Sequence, residues 1–284
     1  MKAKIDHSSV ISNISFSKKK LRDKRTLSVN MKAFLVFIGM IFATSVIWET
    51  VVRMGFVSSL VPAPTQVIVS GYETLKDPFY NYGVNDVGIG LHLLSSLQRE
   101  LTGFLLASLI AVPLGFLIGT SEVVSKAIDP IVQILRPVSP LAWLPIGLAT
   151  LQDSESTAIF VILISSLWPI LLNTIFGVRN ISPIYLNVAR TLETNRWMVI
   201  RYILLPASLP NIITGLRVSM GVAWLVIIAA EMLIGGRGIG YFVWNEWNNL
   251  NISNIIVCIL VIGLVGIGLD RLLGILEKRF SYDG

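Results

Sequence analysis

A single cysteine in 284 residues leaves no disulfide framework and no thiolate metal site, since Cys258 stands alone in an apolar run. The only two histidines, His7 and His92, are too isolated to suggest a metal centre. Charge is scarce as well: 14% of the residues are Asp, Glu, Lys or Arg, against roughly 25% in an ordinary soluble domain. With 54% hydrophobic residues, a soluble sphere would struggle to find a polar surface. The chain also lacks the Gly-Lys-Ser/Thr ending of a phosphate loop, so any ATP-driven work needs ATPase subunits on another chain.

What is present suits a bilayer. Twelve Pro, 22 Gly and seven Trp fit a membrane setting, where Gly and Pro are commoner within helices and Trp gathers at the interfaces. The net charge of +6 is not a nucleic-acid signal, because Lys2, Lys4, Lys18, Lys19, Lys20, Arg22, Lys24, Arg25 and Lys32 all precede or touch the first apolar run. That basic start is too long for a secretory leader and no small-x-small cleavage site follows, so an uncleaved first span is expected.

A crossing needs about 20 apolar residues. The candidates are 33–52, 101–120, 130–150, 157–178, 211–232 and 252–270, which gives an all-α polytopic membrane protein of about six transmembrane helices. The third is interrupted by Pro130, Pro137, Pro140 and Pro145, so it is expected to be broken where protein satisfies the freed carbonyls, facing a pathway through the protein or the neighbouring helices, with Trp143 packed near its wall. Positive residues resist translocation. With both termini cytoplasmic, the basic start, Lys126, the set Arg179, Arg190, Arg196 and Arg201, and the final Arg271, Lys278 and Arg279 all fall inside. The expected organisation is a basic cytoplasmic tail over 1–32, a first span with an external linker over 33–100, and a core over 101–280. The linker should hold a short helix over 66–76 capped by Thr65.

Between the fourth and fifth spans lies a soluble stretch from Pro183 to Pro206. Pro183 suits a first helical turn, and Ile184, Val188 and Leu192 recur at four-residue spacing. Thr194 or Asn195 could cap a second helix carrying Trp197, Ile200 and Leu204. Two readings are open: a loop lying on lipid headgroups, or a rigid projection on which a cytoplasmic partner docks. Gly235-Gly-Arg-Gly-Ile-Gly240 follows a span instead of a strand, which makes it a turn and not a phosphate cradle. Arg217 and Glu231 are ionisable groups within the fifth apolar segment and should face protein or water. For an anion pathway Arg217 is the electrostatic candidate; its alternative is to snorkel or to brace a helix. Glu231 is read as a structural hydrogen-bonding group.

The 183–206 segment resembles the EAA loop of ABC importer permeases, in which Glu-Ala-Ala, three residues, Gly, nine residues and Ile-x-Leu-Pro couple the permease to its ATPase. The corresponding positions here are Asn187, Val188, Ala189, Glu193, Ile203, Leu205 and Pro206, so Glu193 stands where the family has Gly at the bend. Leu101-Thr-Gly-Phe-Leu-Leu-Ala, Arg136-Pro-Val-Ser-Pro-Leu-Ala-Trp-Leu-Pro145, Tyr185-Leu-Asn-Val-Ala-Arg-Thr-Leu-Glu193 and Gly215-Leu-Arg-Val-Ser-Met-Gly-Val-Ala-Trp224, continuing to Glu231-Met-Leu-Ile-Gly-Gly236, resemble the nitrate, bicarbonate, cyanate, taurine and aliphatic-sulfonate branch. Within that branch the likeness is greatest to cyanobacterial nitrate and bicarbonate permeases. The resemblance implies a type I ABC importer permease fold, no catalysis and no cofactor on this chain, and ATP and Mg on partner ATPase subunits. It also implies a second permease copy, an external substrate-binding protein, and a bacterial inner plasma membrane of cyanobacterial kind. Nitrate is the expected cargo, with nitrite left open; bicarbonate, cyanate or a small sulfonate is the alternative. A different class would be an ion-gradient-driven carrier or a membrane assembly protein.

Overall fold

A computed structural model describes the backbone over residues 7–83 and 86–280, and side chains over 29–83, 86–195 and 197–279. Lys2 and Lys4 of the basic start lie outside the described residues. The chain divides into two units, Met1–Ile68 and Val69–Gly284.

In the first unit, helix α1 (His7–Arg53) contains a stretch, Val29–Arg53, long and apolar enough to cross a membrane. The helix begins well inside the 1–32 segment read as a basic tail. Helix α2 (Pro64–Lys76), which begins in the first unit and ends in the second, starts on a proline, whose missing N–H would be unpaired in a first turn anyway. Thr65 is not its cap. The Gln66 side chain accepts from Ala63 N–H at 2.9 Å, while the Thr65 N–H and hydroxyl both donate to the Glu49 carboxylate of α1.

The second unit is a bundle of α3 (Ile89–Thr120), α4 (Glu122–Leu135), a 3-10 turn (Pro140–Trp143), α5 (Leu144–Leu151), α6 (Ser154–Arg179), α7 (Pro183–Thr191), α8 (Arg196–Val199), a π-helical turn (Ile200–Leu204), α9 (Leu205–Ile234), α10 (Ile239–Asn248) and α11 (Ile252–Phe280). Helices α3, α6 and α9 form its centre, and α10 and α11 pack on α9. Ser121 caps α4 through Val124 N–H, and Asp153 caps α6 through Ser156 N–H at 2.7 Å. The hydrogen bonds from Ser156 hold the Asp153 carboxyl below the usual carboxylate range.

Between membrane helices there is no hydrophobic drive to associate, so close approach of small residues decides the seam. Along α3, Gly103, Ala107, Ala111, Gly115 and Gly119 form such a stripe at four-residue spacing. A Cβ on Gly103, Gly115 or Gly119 would lie 2.7, 2.6 or 2.8 Å from Ile162, Thr174 or Val178 of α6. The register offset is the same at all three, so α3 and α6 run parallel. The chain between them must therefore cross back. That return is the α4 and α5 pair, bent by 90° at its break. Helix α9 runs antiparallel to α6, with Gly177 against Asn211 and Gly215 against Asn173, and α11 runs antiparallel to α9. Among the described residues five helices are long and apolar enough to cross a membrane, and the bent pair, counted as one broken span, makes six.

The seam carries a testable consequence. Gly115→Leu forces α3 and α6 apart, and overpacking of this kind costs about 1–3 kcal/mol. The midpoint of thermal unfolding in detergent should fall by several degrees. Leu109→Ala, on the outer face of α3 where Leu109 is 72% exposed, should leave it unchanged. Equal midpoints for the two variants would remove the seam from the account of stability.

Three crossings begin much earlier than the hydropathy reading places them, the broken one at Glu122 instead of 130. Helix α3 begins at Ile89 instead of 101, because His92, Ser96, Arg99 and Glu100 are buried among protein groups and not displayed in an external linker. The fifth apolar segment is fused with the helix before it into Trp197–Ile234. Pro206 has no N–H for the carbonyl of Tyr202, and Leu205 N–H bonds to Ile200 in a wider turn, so the chain continues instead of starting afresh.

Candidate functional site

At one end of the bundle, α7 and α8 form a corner between α6 and α9. Helix α7 ends in a Schellman motif: Thr194 N–H bonds to Ala189 C=O and Glu193 N–H to Arg190 C=O, both at 3.0 Å. That motif needs a left-handed residue after the helix, and Glu193 occupies it with φ +46°. The position where the related loops carry Gly thus demands the conformation that Gly adopts most readily. Asn195 then caps α8 through Trp197 N–H at 3.3 Å. Ile184, Val188 and Leu192 form an exposed apolar ridge, with Tyr185, Trp197 and Met198 also exposed nearby in sequence. Asn187 is exposed, whereas Ala189 is buried under the ridge. Ile203 is half-buried, and Leu205 and Pro206, exposed, open α9.

Arg217 lies on α9 opposite α11. Its guanidinium donates to both oxygens of Asp270 at 2.8 Å and to Glu277 at 2.6 Å, while Thr214 donates to Glu277 at 2.8 Å. Trp224 is buried on the same seam and donates from Nε1 to Ile262 C=O at 3.1 Å. Trp143 is half-buried on the 3-10 turn beyond the break.

The opposite end holds a buried polar cluster. Glu231 of α9 accepts from Ser96 Oγ at 2.8 and 2.9 Å, from Arg99 Nη1 at 3.0 Å and from Gly240 N–H at 3.0 Å. Arg99 also donates to the carbonyl of Arg237 and forms an ion pair with Glu155 at 3.3 Å. The glycine loop completes the cage: Gly238 N–H donates to His92 Nδ1 at 3.1 Å and Ile239 N–H to Ser96 Oγ at 2.8 Å. A Cβ at Gly238, where φ is +148°, would strike the Glu231 carboxylate. The loop does receive an anion, but that anion is the protein's own carboxylate. Glu100 beside Arg99 in sequence is buried with no hydrogen-bond partner among the described residues.

The sequence reading isolated Glu231 and Arg217 but missed their partners. One signal was available: His92, Ser96 and Arg99 or Glu100 recur at helical spacing, which places them on one face of α3. Asp270 and Glu277 gave none, lying 53 and 60 residues beyond Arg217.

The family of binding-protein-dependent transport system inner membrane components matches residues 111–282. The chain is 45% identical over 233 residues to the nitrate import permease protein NrtB of Synechocystis sp., covering 82% of this chain and 84% of that one. It is 42% identical over 236 residues to the bicarbonate transport system permease protein CmpB of the same organism, covering 83% and 84%. In three dimensions it is similar to a chain of the inward-facing MetNI methionine ABC transporter, with a TM-score of 0.60 at 12% identity, over 68% of this chain and 96% of that chain.

Proposed function

Because the chain belongs to the binding-protein-dependent transport system inner membrane components, we propose that it is the permease subunit of an ATP-driven importer whose cargo is nitrate. The observation that carries the cargo is the likeness to nitrate permeases over most of both chains. The chain is a transport subunit and not an enzyme, and ATP hydrolysis belongs to separate ATPase subunits. Bicarbonate is the second reading, favoured by the nearly equal likeness to bicarbonate permeases. Both anions are planar, oxygen-rich and singly charged.

In this reading the protein sits in a bacterial inner membrane with both termini and the α7–α8 corner in the cytoplasm, as the placement of Lys and Arg favours. A second copy completes the pathway, an external binding protein delivers the anion, and two ATPase domains bearing ATP and Mg press on the corners. Because α8 continues through the π turn into α9, displacement of the corner reaches the pathway without a flexible linker. Arg217 acts as a brace that makes α9 and α11 move together. Two carboxylates already surround it, so its charge offers a passing anion little net attraction.

Labelled nitrate and bicarbonate uptake, measured in cells deleted for this gene and then restored, tests the cargo when other nitrate carriers are absent. Nitrate uptake should vanish and return, with bicarbonate uptake unchanged. Nitrate uptake that survives the deletion rejects the assignment, and loss of bicarbonate uptake instead moves it to the second reading.

A further inference from the structure

The break between α4 and α5 carries an arginine that none of the roles above uses. Arg136 follows the last turn of α4 and is exposed, and among the described residues no carboxylate lies within ion-pair reach of it. The other arginines on α3 and α9 differ: Arg99 is held by Glu231 and Arg217 by Asp270 and Glu277. Arg136 lines a groove of about 560 Å³ with Gln133, Asp129, Val132, Pro137 and Leu172. Leu172 is seven residues before the end of α6 at Arg179, about 10 Å along that helix at 1.5 Å per residue. The groove therefore reaches within the span and not only its rim.

The backbone at this point also needs water. Helical bonding would pair the Gln133 carbonyl with the N–H of residue 137 and the Arg136 carbonyl with that of residue 140, but both positions are proline. Carbonyls freed at membrane depth persist only inside protein or beside an aqueous cavity. An unpaired arginine in a span is costly against lipid for the same reason. Both features are satisfied if the groove faces water.

We propose that Arg136, with Gln133 one turn before it, is the contact for the translocated anion at the break of the bent crossing. This rests on the anion-importer reading above. A guanidinium offers planar, forked donors that match the oxygens of nitrate, and it offsets the anion's lost hydration where the pathway narrows. Asp129, the acidic group in the groove, lies seven residues earlier and accepts from Ser125, which itself accepts from Arg179.

The complete importer, permease with its ATPase subunits and binding protein, should be reconstituted in vesicles and assayed for labelled nitrate entry and ATP hydrolysis. Arg136→Gln should lower nitrate entry at least about tenfold at matched permease and ATPase, while Arg136→Lys keeps most of it, because the charge is what offsets desolvation. Gln133→Glu, an exposed site three residues away on the same helix face, should lower entry similarly by pairing with Arg136, even if Arg136→Gln fails to assemble. Glu122→Gln, in the exposed Glu122–Lys126 pair at the other end of α4 and outside the groove, should cause no loss. Unchanged entry in Arg136→Gln or in Gln133→Glu overturns the proposal, as does a Glu122→Gln loss equal to that of Arg136→Gln, which would reveal a general effect of charge on α4. A wild-type importer that moves no nitrate instead fails the cargo reading.

Discussion

An Arg99→Met permease should be recovered as folded protein in only a small fraction of the wild-type amount. Glu231 is 1% exposed, and Arg99 supplies its positive partner inside the cluster. Removing one member of a buried ion pair leaves the other charge without compensation, a loss of about 3–5 kcal/mol. The remaining donors, Ser96 and Gly240 N–H, hydrogen-bond the carboxylate but cannot neutralise it. The same change also strips the Arg237 carbonyl of its donor, so the glycine loop loses an anchor. Monodisperse yield and thermal midpoint in detergent measure the effect. The double variant Arg99→Met with Glu231→Gln removes the stranded charge and should recover much of the loss, which a mere packing defect would not. Glu100→Met should be neutral or stabilising, since no bond to that carboxylate is lost. If the single Arg99 variant melts within about 2 °C of wild type, the cluster is not a structural keystone.

That cluster also shows why hydropathy misjudged one boundary. A window average treats His92, Ser96, Arg99 and Glu100 as an external linker, because each is polar in isolation. For His92, Ser96 and Arg99 the partners are Glu231, Arg237 and the 238–240 backbone, more than 130 residues away, and no local pattern announces them. The broken crossing was legible because proline acts locally: four prolines between 130 and 145 forbid a continuous ladder, and the 90° bend follows. The small-residue stripe on α3 was visible only as composition. Its partner face on α6 becomes identifiable once the two helices are known to run parallel in register.

At the α7–α8 corner the sequence gives the turn but not the exposure. Pro183 at the first turn and a cap before Trp197 were both local signals, whereas the bend at Glu193, whose left-handed φ the Schellman motif requires, was implied by the family resemblance. Which of Asn187, Val188 and Ala189 faces outward depends on what the chain packs beneath α7. Only Ala189 is covered. The three positions are therefore not equivalent probes: an Asp at 189 would disturb the chain's own packing before any partner is considered.

Val188→Asp is the substitution that isolates coupling, and it should abolish ATPase capture while leaving the permease folded. Val188 is 52% exposed and lies between Ile184 and Leu192, each 70% exposed, on a ridge with no cover from this chain among the described residues. If an ATPase seats on that ridge, the new carboxylate is buried without a partner. A penalty of about 3 kcal/mol weakens binding more than 100-fold. Glu193→Gly is the control, because Gly relieves the left-handed strain without entering the ridge; it should bind the ATPase as wild type does. Copurification of the ATPase from matched amounts of folded permease, followed by substrate-stimulated ATP hydrolysis, reads both variants. A ridge that merely rests on lipid headgroups predicts otherwise: Val188→Asp would copurify the ATPase normally and keep stimulation. That outcome, joined to loss of both in a variant of another cytoplasmic segment, would move the coupling site away from α7.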